Sequence, residues 1–206
     1  MPHRHLTELL RRLPELATAE SSILQAYEVL RDSFQAGGKV LLCGNGGSAA
    51  DADHWAGELL KGFCKARPLS RQERGTLRPE IAQKLQGALP AIPLTSFPAA
   101  STAFGNDVDP ALAYAQLTSA LGRPGDVFVG LSTSGNAKNV GAAAEVARAK
   151  GLPVIGLTGA SGGKLKAWCM VCICAPSTET YRIQEYHLPI YHCLSLMLEE
   201  NFFGQK

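Results

Sequence analysis

Short, continuously apolar runs recur along this chain, and stretches with helical spacing separate them. Residues 39–44 form the first run and end in glycine, which is typical of a strand buried on both faces. Similar runs cover residues 91–94, 127–131, 154–157 and 171–174. The stretches with helical spacing between them include residues 49–61, 111–121 and 137–150. Because strands alternate with helices, the sequence predicts a parallel sheet covered by helices on both faces.

Helical segments are also predicted at both ends of the chain. Apolar residues at helical spacing predict helices within residues 1–36, and Gly37-Gly38 ends them as C-cap glycines do. Residues 179–203 have the pattern of one long helix, in which Pro189 imposes a kink or a local break. A chain of 206 residues, 46% of them hydrophobic, is expected to form one domain over residues 1–206.

One charged segment is longer than such a fold needs as a connection. Residues 67–88 contain Pro68 and Pro79, at a place where only a few connecting residues are usual. The residues after Pro79 favour a short surface helix, because proline is common in the first helical turn. The segment is therefore either a surface insertion without a functional role, or a functional element that acts as a lid or as a subunit contact.

Charge and hydropathy argue against several classes of protein. Twenty basic and eighteen acidic side chains give a net charge of +2, which argues against binding to nucleic acid through bulk charge. No run approaches 18 apolar residues, and the first residues lack the apolar core of a signal peptide. We therefore expect a cytoplasmic protein with neither nucleic acid nor a membrane as its partner.

Three of the six cysteines lie close together in the sequence, at Cys169, Cys172 and Cys174. They allow two interpretations, a thiolate metal site or a buried strand in which cysteine acts as a small hydrophobic residue. Their neighbours are apolar, and no second Cys-x-x-Cys completes a tetrahedral site. The strand interpretation is favoured.

Two loops of small residues follow the first and third predicted strands. They have the sequences GNGGS, at residues 44–48, and STSGN, at residues 132–136. Open parallel sheets bind ligands at the carboxyl ends of their strands, and free amides at a helix N-terminus suit an anion such as phosphate. Neither loop matches a P-loop or a dinucleotide fingerprint, so no nucleotide is indicated. Tight turns with N-caps are the alternative, but two such loops in equivalent places favour a phosphorylated small molecule.

The helix that follows the first loop carries two potential site residues. His54 and Glu58 are four residues apart and share one face, and Asp51 lies on nearly the same stripe, where it could orient the imidazole. The long C-terminal helix adds Gln184, Glu185, His187 and His192. A metal site or an acid–base pair is one interpretation of these residues, and a solvent-facing pair is the other.

Five motifs in a fixed order identify a resemblance. GNGGS is followed by AADAxHxxxE, GND, STSGN and RIQExHxxxxH, and together they closely resemble the phosphoheptose isomerase branch of the sugar isomerase (SIS) domain family over nearly the whole chain. The resemblance implies a flavodoxin-like, three-layer α/β fold with a five-stranded parallel sheet. It also implies a homotetramer with sites near subunit interfaces, and conversion of sedoheptulose 7-phosphate to D-glycero-D-manno-heptose 7-phosphate through an enediol.

The resemblance also assigns roles to individual residues. It implies that Glu58 and His192 are the proton-transfer pair and that each chain holds one zinc ion. The implied zinc ligands are His54, Glu58, Gln184 and His192. The implied substrate contacts are Asn45, Gly46, Gly47, Ser48, Glu58, Asn106, Asp107, Ser132, Thr133, Ser134 and Gln184.

The chain departs from the family pattern at two places. Ala137 stands where the family usually has a serine that helps to hold the substrate, and residues 67–88 are longer than the usual connection. An isomerase of another phosphosugar is therefore one alternative. A non-catalytic sugar-phosphate-binding or regulatory protein is another, but members of that kind have lost the glutamate and the final histidine that this chain keeps.

The spacing of two implied zinc ligands adds a geometric constraint. Gln184 and His192 are eight residues apart, which is about 12 Å along an ideal helix. Both reach one ion only near full stretch. Either the helix deviates around Pro189, or the two residues serve from different subunits.

Overall fold

In the computed structural model, which describes residues 3–204, five parallel strands form one sheet. The strands are β1 (Val40–Cys43), β2 (Ala91–Pro93), β3 (Val127–Ser132), β4 (Val154–Thr158) and β5 (Val171–Cys174). Their order across the sheet is β2-β1-β3-β4-β5, which is the flavodoxin-like order. The parallel sheet and all five predicted strands are confirmed.

Helices cover this sheet and flank it at both ends. They are α1 (His3–Arg12), α2 (Glu20–Gln35), α3 (Gly47–Leu60), α4 (Arg71–Gly75), α5 (Pro79–Ala82), α6 (Pro98–Asp107), α7 (Ala113–Leu121), α8 (Lys138–Ala149) and α9 (Thr180–Phe203). Pro189 lies inside α9, which continues through it without a break. None of the helices in residues 3–204 combines the length and the apolarity that crossing a membrane requires. Residues 1–2 of the predicted N-terminal helical region, and residues 205–206 of the predicted domain, lie outside the described residues.

Two apolar cores lie on opposite faces of the sheet. Successive residues of β1 alternate between them, with Val40 and Leu42 in one core and Leu41 and Cys43 in the other. The first core is completed by α1, α2, α3 and α9, and the second by α7 and α8. Because the strands are covered on both faces, they are continuous apolar runs in the sequence.

The loops that follow β1 and β3 lie side by side at the carboxyl ends of these two strands. These two strands are neighbours, with Cys43 paired to Gly130. The helix after β1 packs on one face of the sheet, and the helix after β3 packs on the other. A crevice therefore opens between the two loops, at the switch point where open α/β sheets bind their ligands.

Residues 67–88 form a loop that is closed at its base. The backbone N–H of Gly87 donates to the carbonyl of Arg67, and Pro68 forms an antiparallel bridge with Gln86. The segment contains α4 and α5, and the predicted surface helix is confirmed as α5, which begins at Pro79. The side-chain oxygen of Gln86 accepts from the backbone N–H of Gly62 at 2.7 Å, so the loop also contacts the turn that follows α3.

Candidate functional site

A cavity of about 360 Å³ lies between the two small-residue loops. We call it the loop cavity; its lining residues are Asn45, Gly46, Gly47, Ser48, Leu131, Ser132, Thr133, Ser134, Ala137, Thr180 and Gln184. The structure thus brings together both loops and the first turns of α9, as the resemblance implies for a substrate site.

Glycine is required in the loop after β1 for two different reasons. Gly46 precedes α3 with a φ of 54°, in the left-handed region that residues with a side chain seldom adopt. A Cβ atom on Gly47 would lie 2.5 Å from Nε2 of Gln184. Loop and helix are therefore in close contact at this point, and Gln184 belongs to the wall of the loop cavity.

A pair of amide side chains joins the loop after β1 to the first turn of α8. Asn45 donates through Nδ2 to Oδ1 of Asn139, and Asn139 donates in return to Oδ1 of Asn45, both at 2.9 Å. Asn139 also accepts from the N–H of Val140 in the first turn of α8. No pattern in the sequence predicts this role for Asn139, because its partner Asn45 lies 94 residues away.

A second group of predicted residues lies where α3 packs against α9. We call His54, Glu58 and His192 the histidine–glutamate cluster. Nε2 of His54 lies 3.2 Å from Oε1 of Glu58, and the rings of His54 and His192 meet edge to face with their centroids 5.1 Å apart. The Glu58 side chain is only 13% exposed, so the solvent-facing alternative does not describe this residue.

Charged neighbours set the protonation states within the cluster. Burial raises the pKa of the Glu58 carboxyl, but the ammonium of Lys61, 2.9 Å away, and the nearby His54 together hold it below its ordinary value. Burial, with His54 adding to its effect, lowers the pKa of His192. Nε2 of His192 is buried and has no hydrogen-bond partner among the described residues. The cluster therefore combines an ionised carboxylate with a neutral imidazole.

A tyrosine connects this cluster to Asp51. The hydroxyl of Tyr191 donates to Oδ1 of Asp51 at 3.2 Å and lies 2.9 Å from Nδ1 of His54. Because the Tyr191 hydroxyl donates its proton to Asp51, its oxygen accepts from Nδ1 of His54. The other ring nitrogen of His54, Nε2, is the one that lies beside Glu58. Asp51 was expected to orient His54, and the structure places Tyr191 between the two. Trp55 stacks on the Tyr191 ring at 5.6 Å and supports it.

The predicted metal ligands are divided between the two groups. His54, Glu58 and His192 form the cluster, whereas Gln184 lines the loop cavity. Because α9 is uninterrupted, Gln184 and His192 remain about 12 Å apart along it. Within residues 3–204, no three His, Cys, Asp or Glu side chains are arranged to hold a metal ion. The donor types still suit zinc, and the unpartnered Nε2 of His192 is compatible with a ligand.

The other candidate residues of the sequence lie apart from this site. Asn106 and Asp107 are exposed on α6, where Asn106 donates to Asp107 at 2.9 Å, and neither lines the loop cavity. His187 is buried, with Nε2 3.2 Å from the carbonyl of Thr158, and burial lowers its pKa to about 4. The strand interpretation is confirmed for Cys172 and Cys174, which are half-buried on β5, whereas Cys169 lies before the strand, at the end of a short 3-10 helix.

The loop cavity and the histidine–glutamate cluster lie at different positions along the same two helices. Gly47 and Glu58 are eleven positions apart on α3, which is about 16 Å along the helix axis. The cavity contacts the beginning of α9 through Gln184, and the cluster contacts it two turns further on through His192. The cavity and the cluster are therefore two separate regions of one chain.

Comparisons with known proteins give a consistent result. A family model described as the SIS domain matches residues 4–159. The chain is 44% identical to the phosphoheptose isomerase of Rhodospirillum rubrum over 90% of this chain and 88% of that protein. Its fold matches the solved phosphoheptose isomerase of Neisseria gonorrhoeae, with a TM-score of 0.75, 35% identity and 96% of both chains covered. The enzyme from Francisella tularensis matches with a TM-score of 0.78 and 32% identity over 92% of this chain and 91% of that chain.

Proposed function

This chain belongs to the SIS domain family and, within it, to the phosphoheptose isomerases, and we propose that it converts sedoheptulose 7-phosphate to D-glycero-D-manno-heptose 7-phosphate in the cytoplasm. The observation that carries this proposal is the pairing of Glu58 with two histidines in the histidine–glutamate cluster. The loop cavity, with its helix N-termini and hydroxyls, supports binding of the phosphate.

Glu58 and His192 have the properties that aldose–ketose isomerisation requires. The reaction moves a proton between C1 and C2 of the sugar through an enediol, and it needs a base and an acid. Lys61 keeps Glu58 ionised, so its carboxylate accepts the proton from carbon. His192, whose pKa is lowered, exchanges the proton on the neighbouring oxygen near neutral pH.

A zinc ion is part of the proposal. His54, Glu58 and His192 supply two nitrogens and one carboxylate, and Gln184 would complete the set from a second copy of the chain. These residues would hold a zinc ion, which would supply polarisation of a substrate carbonyl or order among its ligands. Elemental analysis of protein purified without chelator should find about one zinc per chain. His54→Ala or His192→Ala should reduce it, whereas zinc that persists in both variants would instead point to the cysteines of residues 169–174.

The separation between the loop cavity and the histidine–glutamate cluster supports a site shared between subunits of a homotetramer. Gly47 and Glu58 of one chain are about 16 Å apart along α3, a long distance for one seven-carbon sugar phosphate to bridge between its phosphate and its C1–C2 bond. We therefore assign the phosphate to the loop cavity of one subunit and the reacting carbons to the histidine–glutamate cluster of another.

Mixing a variant that lacks the base with a variant that binds the phosphate weakly tests this assignment at low substrate concentration, where each variant alone has little activity. Glu58→Gln and Thr133→Val remove opposite halves, so mixed oligomers regain activity at shared sites that combine the intact Glu58 of one chain with the intact Thr133 of the other. If every site lies within one chain, each site keeps one defect and mixing restores nothing. Sedimentation of the unmodified protein checks the tetramer itself.

Two other functions remain as candidates, and one experiment separates them. The pure protein is incubated with a panel of ketose and aldose phosphates, and NMR identifies the products. Turnover of sedoheptulose 7-phosphate supports the proposal. Turnover of another phosphosugar alone would agree with the altered position Ala137 and the long segment 67–88. Tight binding without turnover would instead indicate a sugar-phosphate-binding or regulatory protein.

A further inference from the structure

A buried ion pair contacts the C-terminal end of α3, the helix that carries Glu58. Arg67, the first residue of the 67–88 segment, and Glu199, near the end of α9, have side chains that are 0% and 1% exposed. Nε of Arg67 donates to Oε1 of Glu199 at 2.8 Å, and the guanidinium lies 4.9 Å from the centre of the Phe203 ring. Burying two charges is costly unless each is fully hydrogen-bonded.

The remaining donors of Arg67 bind the last turn of α3. Nη2 donates to the carbonyl of Glu58 at 3.0 Å, and Nη1 donates to the carbonyl of Leu59 at 2.8 Å. Carbonyls in the last turn of a helix lack partners within that helix. Arg67 satisfies two of them, and one belongs to the proposed base itself.

The carboxylate of Glu199 binds the turn that follows. It accepts backbone N–H bonds from Phe63 at 2.8 Å, from Cys64 at 2.9 Å and from Lys65 at 3.0 Å. The ion pair therefore fixes the end of α3 and the next turn to α9. Since α9 also carries His192, the same contacts fix the two members of the proton-transfer pair relative to each other.

We propose that Arg67, held by Glu199, is a positioning residue that sets the place of Glu58 relative to His192. The inference rests on the catalytic role proposed for Glu58, because Arg67 contacts the backbone of Glu58 and not its carboxylate. A displacement of about 1 Å of a catalytic group can lower turnover by as much as about 100-fold. The loop cavity lies at the other end of α3, so binding of the phosphate does not depend on this contact.

Two substitutions of Arg67 test this role. Arg67→Lys keeps the positive charge, but a single ammonium does not reproduce the planar fork that binds two carbonyls and a carboxylate together. Arg67→Met removes the charge and keeps much of the side-chain length. We expect kcat to fall by about 10- to 100-fold in Arg67→Lys and further in Arg67→Met, with KM within about twofold of the unmodified enzyme.

Asp126 offers a matched control in the same chain. Its buried carboxylate binds Lys39 through both backbone N–H and ammonium and accepts from the N–H of Arg123. Asp126 lies next to the first residues of β1 and β3, whereas the loops of the cavity follow the last residues of these strands. Asp126→Asn should lower the melting temperature, as the Arg67 variants do, but leave kcat within about twofold.

The outcomes separate this inference from the proposed function. If Asp126→Asn lowers kcat as much as Arg67→Lys, or if Arg67→Lys raises KM at unchanged kcat, Arg67 has no positioning role. If Arg67→Met does not fold, Arg67→Lys and Glu199→Gln decide the question by the same split between kcat and KM. If Glu58→Gln keeps full turnover, the proposed base is wrong. An inactive Glu58→Gln enzyme beside a fully active Arg67→Lys enzyme overturns the positioning role alone.

Discussion

The loop cavity and the histidine–glutamate cluster are built in different ways. The cavity is formed by two loops, each of which directly follows a strand and opens a helix within a few residues. The cluster is formed by side chains of α3 and α9, which are more than 100 residues apart in the sequence. The cavity therefore depends mainly on local turns and backbone amides, and the cluster depends on how two distant helices pack.

The two regions also differ in charge. Backbone N–H groups, hydroxyls and amide side chains line the cavity, which suits an anion held by hydrogen bonds and helix dipoles. The cluster holds a carboxylate beside an ammonium and two imidazoles. Substitutions in the cluster should therefore change the rate of the chemical step, and those in the cavity should change the affinity for the phosphate.

The largest effect is expected at Glu58. Glu58→Gln removes the proposed base while keeping the shape of the side chain, so kcat should fall by about 10²- to 10⁴-fold with the fold and the tetramer intact. Glu145→Gln, at an exposed position of α8, is the matched control and should keep full activity. Steady-state kinetics with sedoheptulose 7-phosphate measures both variants, and near-native turnover of Glu58→Gln would contradict the assignment of the base.

Tyr191 should affect the cluster without touching the substrate. Tyr191→Phe removes the hydroxyl that connects Asp51 to Nδ1 of His54, and the loss of such an indirect partner lowers metal affinity by about 10- to 100-fold. Competition with a fluorescent chelator measures the zinc affinity. Tyr186→Phe, on the same helix, should leave it unchanged. Equal affinities in the two variants would mean that Tyr191 does not orient His54.

Thr133→Val tests whether the loop cavity binds the phosphate. Thr133→Val removes one hydroxyl from the loop after β3, and a hydrogen bond to a charged group contributes about 1.5–3 kcal/mol. Binding of the phosphorylated sugar should weaken by about 10-fold or more, while binding of the unphosphorylated sugar stays the same. Calorimetry with both ligands makes this measurement. A similar loss with both would mean that this loop binds the sugar hydroxyls and that the phosphate binds elsewhere.

The difference between the two regions also explains how far the sequence alone could predict them. Each strand is an apolar run bounded by glycine or small residues, and each loop of the cavity follows its strand directly, so local patterns are sufficient. By contrast, α6 has no buried residue and no apolar stripe, and no helix was predicted there. The resemblance identified the members of the cluster, but their spatial contacts came only from the structure.

The contacts around the cluster depend on distant parts of the chain. Arg67 meets Glu199 across 132 residues, and Tyr191 meets His54 across 137. No periodicity in the sequence links such pairs. Lys61 is the exception, because it lies three residues after Glu58 on the same helix, where opposite charges are neighbours. This spacing is a signal that the sequence carries, but no role was predicted for Lys61.

Ala137 should give the smallest effect and the most informative one, because it lies in the cavity and also at the N-cap of α8. Its side chain makes no capping hydrogen bond. In Ala137→Ser the new hydroxyl has two possible partners. As a helix cap it adds about 1 kcal/mol of stability; as a phosphate ligand it tightens binding of the phosphorylated sugar several-fold, with little change for its unphosphorylated analogue.

Measuring Ala137→Ser with and without ligand distinguishes these partners. A higher melting temperature in the free protein with unchanged affinity identifies the hydroxyl as a cap. Tighter binding of the phosphorylated sugar alone identifies it as a phosphate ligand, and then this chain holds its phosphate with one hydroxyl fewer than its family usually provides. An equal gain for the unphosphorylated sugar would contradict the placement of the phosphate in the loop cavity, because a hydroxyl at Ala137 would then contact the sugar itself.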